Sequence, residues 1–235
     1  MLPCATPITN TYVCDNANQL TFVNGTAYTW DNNGNLLSDG TSTYTYDAAN
    51  RLKTITQGST VSLYVYNSLG DRLSQTVNGV TTNYTLYLNA GLTQVLADGT
   101  NTYLYGPTRI GEQQPGGFAY HLPDALGSVR QLANASGAVT LTRSYEPFGS
   151  TLSSAGGGTT AFQFAGEARD ASGLIYLRAR YYASSQGRFV SRDSWQGDFL
   201  RPQTLNGWSY VEGNPVNLTD PSGHTPWPQK NKDEL

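Results

Sequence analysis

The chain has 235 residues, a net charge of −3 and only 13% charged residues, about half the usual share. Its nearest approach to a basic patch is Arg178, Arg180 and Arg188, which alternate with apolar and aromatic residues, so binding nucleic acid by phosphate neutralisation is not expected. No apolar run approaches a membrane span, and 25 Gly, 11 Pro and 16 Tyr against one Met point to an all-β chain with many turns.

Residues 1–11 read as a ragged N-terminus without the basic and apolar regions of a signal peptide. The only cysteines, Cys4 and Cys14, fit no zinc spacing and are expected to be unpaired. From Tyr12 a repeat begins: an aromatic pair, a turn-forming Asp or Asn, then Leu. It runs as Tyr28-Thr29-Trp30-Asp31 to Leu36, Tyr44-Thr45-Tyr46-Asp47 to Leu52, and Tyr64-Val65-Tyr66-Asn67 to Leu73. A worn copy stands at Tyr12 to Leu20. Side chains two apart share one face of a strand, Asp or Asn starts a turn, and Gly34, Asn50 and Gly70 suit positive φ. Each repeat is therefore a strand–turn–strand unit that must pair with its neighbours in series. Asn24-Gly25, Asp39-Gly40, Asn78-Gly79 and Asp98-Gly99 add hairpin turns. Tyr84, Tyr87, Tyr103 and Tyr105 continue the ladder in degenerate form.

The texture changes at Tyr120. Tyr120 to Val129 reads Tyr-His-Leu-Pro-Asp-Ala-Leu-Gly-Ser-Val, followed by Tyr145-Glu146-Pro147-Phe148-Gly149. Ser153 to Gly158 reads as a flexible hinge. After it come Gly173 to Tyr182 (Gly-Leu-Ile-Tyr-Leu-Arg-Ala-Arg-Tyr-Tyr), Gly187-Arg188-Phe189, and Asn214 to Gly223 (Asn-Pro-Val-Asn-Leu-Thr-Asp-Pro-Ser-Gly). Four segments follow: the N-terminus (1–11), a repeat array (12–118), a distinct core (119–224) and a mobile tail (225–235).

Together these motifs make the chain similar to the C-terminal end of RHS/YD-repeat proteins, with the RHS repeat-associated core over 120–223. The resemblance implies a spiralling antiparallel sheet, part of a hollow shell, closed at one end by the core. In the family the shell encloses a C-terminal toxin or effector, and the core cuts the chain just beyond Asp-Pro-x-Gly. The family includes polymorphic toxins delivered by bacteria, insecticidal toxin-complex subunits and, more distantly, teneurins. It implies secretion or cell-surface delivery, with the rest of a shell or an effector as partners.

The resemblance also implies an aspartyl self-cleavage site that turns over once and acts on its own chain. Two carboxylates sharing a proton can activate water and polarise a carbonyl. The matching residues are Asp193 and Asp220, with Arg192 as oxyanion binder, and Gly223, His224 and Thr225 as the cleavage segment, cut after His224. Two positions depart from the family: His224 replaces the usual Leu and Ser194 the usual Pro. Taken singly, both aspartates also suit turn capping.

No other chemistry is expected. There is no nucleophile elbow, no metal-ligand cluster and no phosphate loop, since Gly156-Gly157-Gly158 lacks a following Lys. No cofactor or metal is therefore anticipated, and His121 reads as a packed strand residue. Sequons at Asn24, Asn83, Asn134 and Asn217 and the terminal Lys-Asp-Glu-Leu are read as chance or a cloning remnant. Two alternatives to the shell scaffold stay open. One is an exposed ladder of Tyr28, Trp30, Tyr44 and Tyr46 that stacks on cell-surface glycans; the other is an inert orphan fragment, because only eleven residues follow His224.

Overall fold

The computed structural model describes residues 10–224 and the backbone of the strand Trp227–Pro228. Cys4, Thr225 and most of the tail lie outside the described residues. Almost all regular structure is antiparallel sheet, and its helical elements are single 3-10 turns. A three-stranded sheet (12–27) leads into a seven-stranded sheet (29–83) and an eight-stranded sheet (85–156), in each of which strand neighbours follow chain order. A four-stranded sheet (168–189) comes last, with a two-stranded ladder that pairs Leu218–Thr219 with Trp227–Pro228. The large sheets stay open rather than closing into a barrel. The position between residues 118 and 119 falls inside the strand Gly117–Pro123, in the middle of the eight-stranded sheet.

The repeats set this meander through one loop. Asp31 N–H donates to Asn35 O, Gly34 N–H donates to Asp31 O, and Asp31 Oδ1 accepts from the amides of Asn33 and Asn35. Asp47 and Asn67 repeat all of these bonds. The third residue after the Asp has positive φ, which Gly or Asn adopts most cheaply. The backbone bonds recur at Asp124, Asn134, Glu146 and Asp170, well beyond the array read from the sequence. There the flanking aromatic pair has decayed while the loop persists.

The second aromatic of each clear repeat donates to a backbone carbonyl outside its own loop: the Tyr46 hydroxyl reaches Val190 O in the C-terminal segment, while Trp30 and Tyr66 tie one rung to another. Trp30 Nε1 donates to Leu20 O at 2.8 Å, and the Tyr66 hydroxyl donates to Leu52 O at 2.7 Å. Tyr44 and Tyr64 are buried, and Tyr28, Trp30, Tyr46 and Tyr66 pack against the same core. The ladder that could have stacked on glycans thus faces inward. The expected hinge at 153–158 is different too: Thr151–Gly156 is an exposed edge strand. Its small residues permit close pairing, since a Cβ on Gly156 would stand 2.3 Å from Thr140 O.

The C-terminal segment packs between the large sheets. In Arg180–Ala183 successive side chains point to opposite faces. Tyr181 and Ala183 join Leu36, Leu52 and Ile55 beneath the seven-stranded sheet, while Tyr182 joins Phe164, Phe189 and Tyr210 on the other side. A third cluster places Phe162 under Val129, Leu132 and Leu141 of the eight-stranded sheet. The repeats thereby fix the segment that carries Asp193. Leu36 N–H donates to Val190 O, and Arg192 N–H and Trp208 Nε1–H both donate to Gly34 O. A Cβ at Gly34 would meet the Trp208 ring at 2.8 Å.

Candidate functional site

The turn after Thr219 carries Asp-Pro-Ser-Gly-His. Asp220 Oδ1 accepts the Gly223 amide at 2.9 Å, the His224 amide at 3.1 Å and the Ser222 hydroxyl at 3.0 Å. Gly223 has φ +77°, and a Cβ there would lie 2.2 Å from Leu177 O. Only glycine lets the turn press against the backbone of 177–180. Opposite it the chain reverses at Arg178, itself at φ +57°, so Arg178 and Arg180 both reach the turn. Arg178 donates to Pro221 O and pairs with Glu167 at 3.0 Å. Burial disfavours its charge, but Glu167 outweighs burial and holds the Arg178 pKa above its ordinary value.

Arg180 is the centre of the site. Its Nε donates to Gly223 O, one Nη donates to Gly207 O at 2.9 Å, and its guanidinium lies over the Phe189 ring. The other Nη is 2.7 Å from Asp193 Oδ2 and 3.7 Å from Asp220 Oδ2. The side chains of Arg180, Asp193 and Asp220 are 5%, 7% and 2% exposed, so two buried carboxylates share one buried cation. Burial pushes the Asp220 carboxyl above its usual range, against the pull of Arg180 and the turn amides. Burial likewise lowers the Arg180 pKa, which both aspartates oppose. With one positive charge between two buried carboxylates, burial favours the protonated form of Asp220.

Asp193 is positioned by its N–H to Gly207 O, and its Oδ1 accepts the Trp195 amide at 2.9 Å. The same oxygen lies 2.9 Å from His224 Nδ1. A narrow cleft lined by Asp193, Gly207, Asp220 and His224 opens beside Arg180, and a wider one lies on the repeat side with Asn33, Asn50 and Arg192.

The structure therefore brings Asp193, Asp220, Gly223 and His224 together, while Thr225 lies outside the described residues. Arg192 is not part of the cluster: its guanidinium sits 5.9 Å from the Trp208 ring centre and makes no ion pair with either carboxylate. The cation is Arg180, which adjacency to Asp193 in sequence did not suggest. The available signal was an Arg amid Leu, Ala and Tyr in a strand, because an arginine is rarely fully buried unless paired. His121 is buried with its Nε2 3.3 Å from Glu112, away from the two aspartates. Among the described residues no cluster of His, Cys, Asp or Glu could hold a metal ion, and no helix is long and apolar enough to cross a membrane.

Comparison with known proteins gives a consistent picture. The Teneurin YD-shell family matches residues 5–216. The chain is 34% identical over 225 residues to the tRNA3(Ser)-specific nuclease WapA of Bacillus spizizenii, covering 89% of this chain and 10% of that protein. It is 30% identical over 125 residues to Toxin subunit YenC1 of Yersinia entomophaga, covering 51% of this chain and 12% of the other. The crystal structure of TcdB2-TccC3-TEV superposes with a TM-score of 0.65 at 19% identity, over 91% of this chain and 13% of that one. The chain thus spans about a tenth of the length of these larger proteins.

Proposed function

Because the chain belongs to the Teneurin YD-shell family, we propose that it is the closing segment of a toxin-type RHS shell and cuts its own chain in or just after the turn from Asp220 to His224. The observation that carries this reading is the single guanidinium of Arg180 shared by Asp193 and Asp220 directly beneath that turn. One ionised and one protonated carboxyl is the arrangement that activates water against a carbonyl. The site acts once, because its substrate is the loop attached to it.

The remainder of the shell and a C-terminal effector are the partners, in a protein exported from a bacterium. The strands Val80–Asn83 and Thr151–Gly156 end their sheets without a further neighbour among the described residues, which leaves backbone donors and acceptors for additional shell strands. The inward-facing aromatics give the glycan-stacking alternative no support.

Intact mass of the purified chain, beside Asp193→Asn and Asp220→Asn, tests the activity. The expected result is loss of the C-terminal segment in the wild type and its retention in both variants. Equal processing in all three would remove the catalytic reading and leave a scaffold.

A further inference from the structure

The edge strand Thr151–Gly156 borders a cluster of arginines that the fold leaves short of acceptors. Arg143 and Tyr145 are two apart in the strand Val139–Tyr145, so they share a face. That face is inward, because Leu141 is buried on it and Tyr145 packs beside Phe164. Arg130, on the neighbouring strand, holds its guanidinium 5.7 Å from the Tyr145 ring centre. Arg169 comes from the C-terminal segment, with an Nη 3.4 Å from Thr151 Oγ1. Three guanidiniums thus gather around Tyr145. Among the described residues the one carboxylate within ion-pair distance of any of them is Asp124, 3.5 Å from Arg130. One Nη of Arg143 is shut from solvent with no hydrogen-bond partner among the described residues. Burial lowers the Arg169 pKa, Tyr145 opposes it, and the Arg143 charge lowers it further.

Resting on the reading of Thr151–Gly156 as an edge for a further shell strand, we propose that Arg130, Arg143 and Arg169 bind a carboxylate carried by that strand. A half-buried cation without an acceptor is costly, and a carboxylate supplies one. The register sets the reach. Arg143 faces Ser154, and Tyr145 faces Thr151 across a register shift at Leu152. All six residues of the edge strand are exposed, and Ser154 is too short to close the path from Arg143 to the free edge. A residue paired opposite Ser154 lies two strand spacings, about 9.5 Å, from Arg143. A glutamate there and the long arginine side chain together span that gap. Such a strand meets two needs at once. Its backbone takes the open hydrogen-bonding groups of the edge, and its carboxylate takes the guanidinium donors, which bond an ionised acceptor more strongly than a neutral one. A strand of neutral residues meets only the first.

Two blocked peptides, Thr-Val-Thr-Glu-Thr-Val-Thr and its counterpart with Gln at the centre, test this on the whole chain by NMR titration. The Glu peptide is expected to shift the backbone amides of 151–156 and the Arg143 and Arg169 Nε–H signals. It should bind at least about tenfold tighter than the Gln peptide. Arg143→Gln should bring the Glu peptide down to the affinity of the Gln peptide. Equal affinity for the two peptides in the wild type overturns the arginine role while leaving the open edge standing. Binding of neither peptide overturns both. Arginine shifts produced by inorganic phosphate but not by the Glu peptide would make the cluster a site for a free oxyanion, and the strand assignment falls. The wild-type comparison needs no variant, so the outcome is decided even where Arg143→Gln does not fold.

Discussion

His224 Nδ1 lies 2.9 Å from Asp193 Oδ1, so the residue that departs from the family pattern touches a carboxylate of the proposed site. That contact occupies an oxygen a water molecule would otherwise use. Replacing His224 with Leu removes the competitor and leaves the Arg180–Asp193 pair intact. A hydrogen bond to a charged group is worth about 1.5 kcal/mol or more, so self-cleavage in His224→Leu is expected to be roughly tenfold faster. A time course of fragment release checks this, and a slower variant would show that the imidazole assists the reaction.

Asp220→Asn separates catalysis from stability. Burial raises the folded-state pKa of Asp220, so the native chain binds that proton more tightly than the unfolded chain. The resulting stabilisation is present below the ordinary carboxylate pKa and is lost as pH rises through the folded value. Asn keeps the Oδ1 acceptor for Ser222, Gly223 and His224 without the buried charge. The variant should be uncut and at least as stable as wild type at pH 7, with its advantage shrinking toward pH 4. Urea unfolding at both pH values tests this; a variant weaker at pH 7 than at pH 4, relative to wild type, contradicts it.

These two aspartates also show how far the sequence could be read. The strand–turn units at Asp31, Asp47 and Asn67 were legible because their chemistry is local: an Asx side chain bonds amides two and four residues on. The pairing of Asp193 with Asp220 was suggested only by motif resemblance, since it depends on how the repeats dock against Val190 and Trp208. Arg180 was missed as the cation because it reaches Gly223, 43 residues away, while Arg192 was next to Asp193 in the chain. The loops at Asp124, Asn134, Glu146 and Asp170 escaped notice because the aromatic signature had gone while the turn geometry remained. The edge strand Thr151–Gly156 escaped because its Ser and Gly content suits a hinge as well as a tightly paired strand.

Arg72 and Asp170 join the seven-stranded sheet to the C-terminal segment. They pair at 2.6 Å with side chains 4% and 3% exposed, and the guanidinium lies 4.3 Å from the Tyr176 ring centre. Removing one partner strands a buried charge, at a cost of about 3–5 kcal/mol. Asp170→Ala should therefore lose about that much in urea unfolding. Replacing both with apolar residues, as in Arg72→Met with Asp170→Leu, should recover much of the loss. A double variant as weak as the single one would mean that the aromatic contacts of Arg72, not its charge pairing, hold the segment in place.

Asp39 to Tyr44 and Asp98 to Tyr103 form a second repeated device, Asp-Gly-Thr-x-Thr-Tyr. In both, the tyrosine hydroxyl donates to Asp Oδ2, at 2.6 Å and 2.5 Å, while Oδ1 accepts two turn amides. Burial works against each carboxylate's charge, yet the hydroxyl and amide donors outweigh it and hold both pKa values below the ordinary range. A depressed folded pKa gives stability that is present above the unfolded value and lost as pH falls through the folded one. Tyr44→Phe and Tyr103→Phe remove the strongest side-chain donor from each turn. Each is expected to cost about 1–2 kcal/mol at pH 7 and less at pH 3, where wild type has already lost part of the same contribution. Because the two turns lie in different sheets with no shared partner, their effects should add in the double variant. Unfolding curves at pH 7 and pH 3 for both single variants and the double give the answer, and a pH-independent loss would mean that the tyrosines stabilise by packing alone.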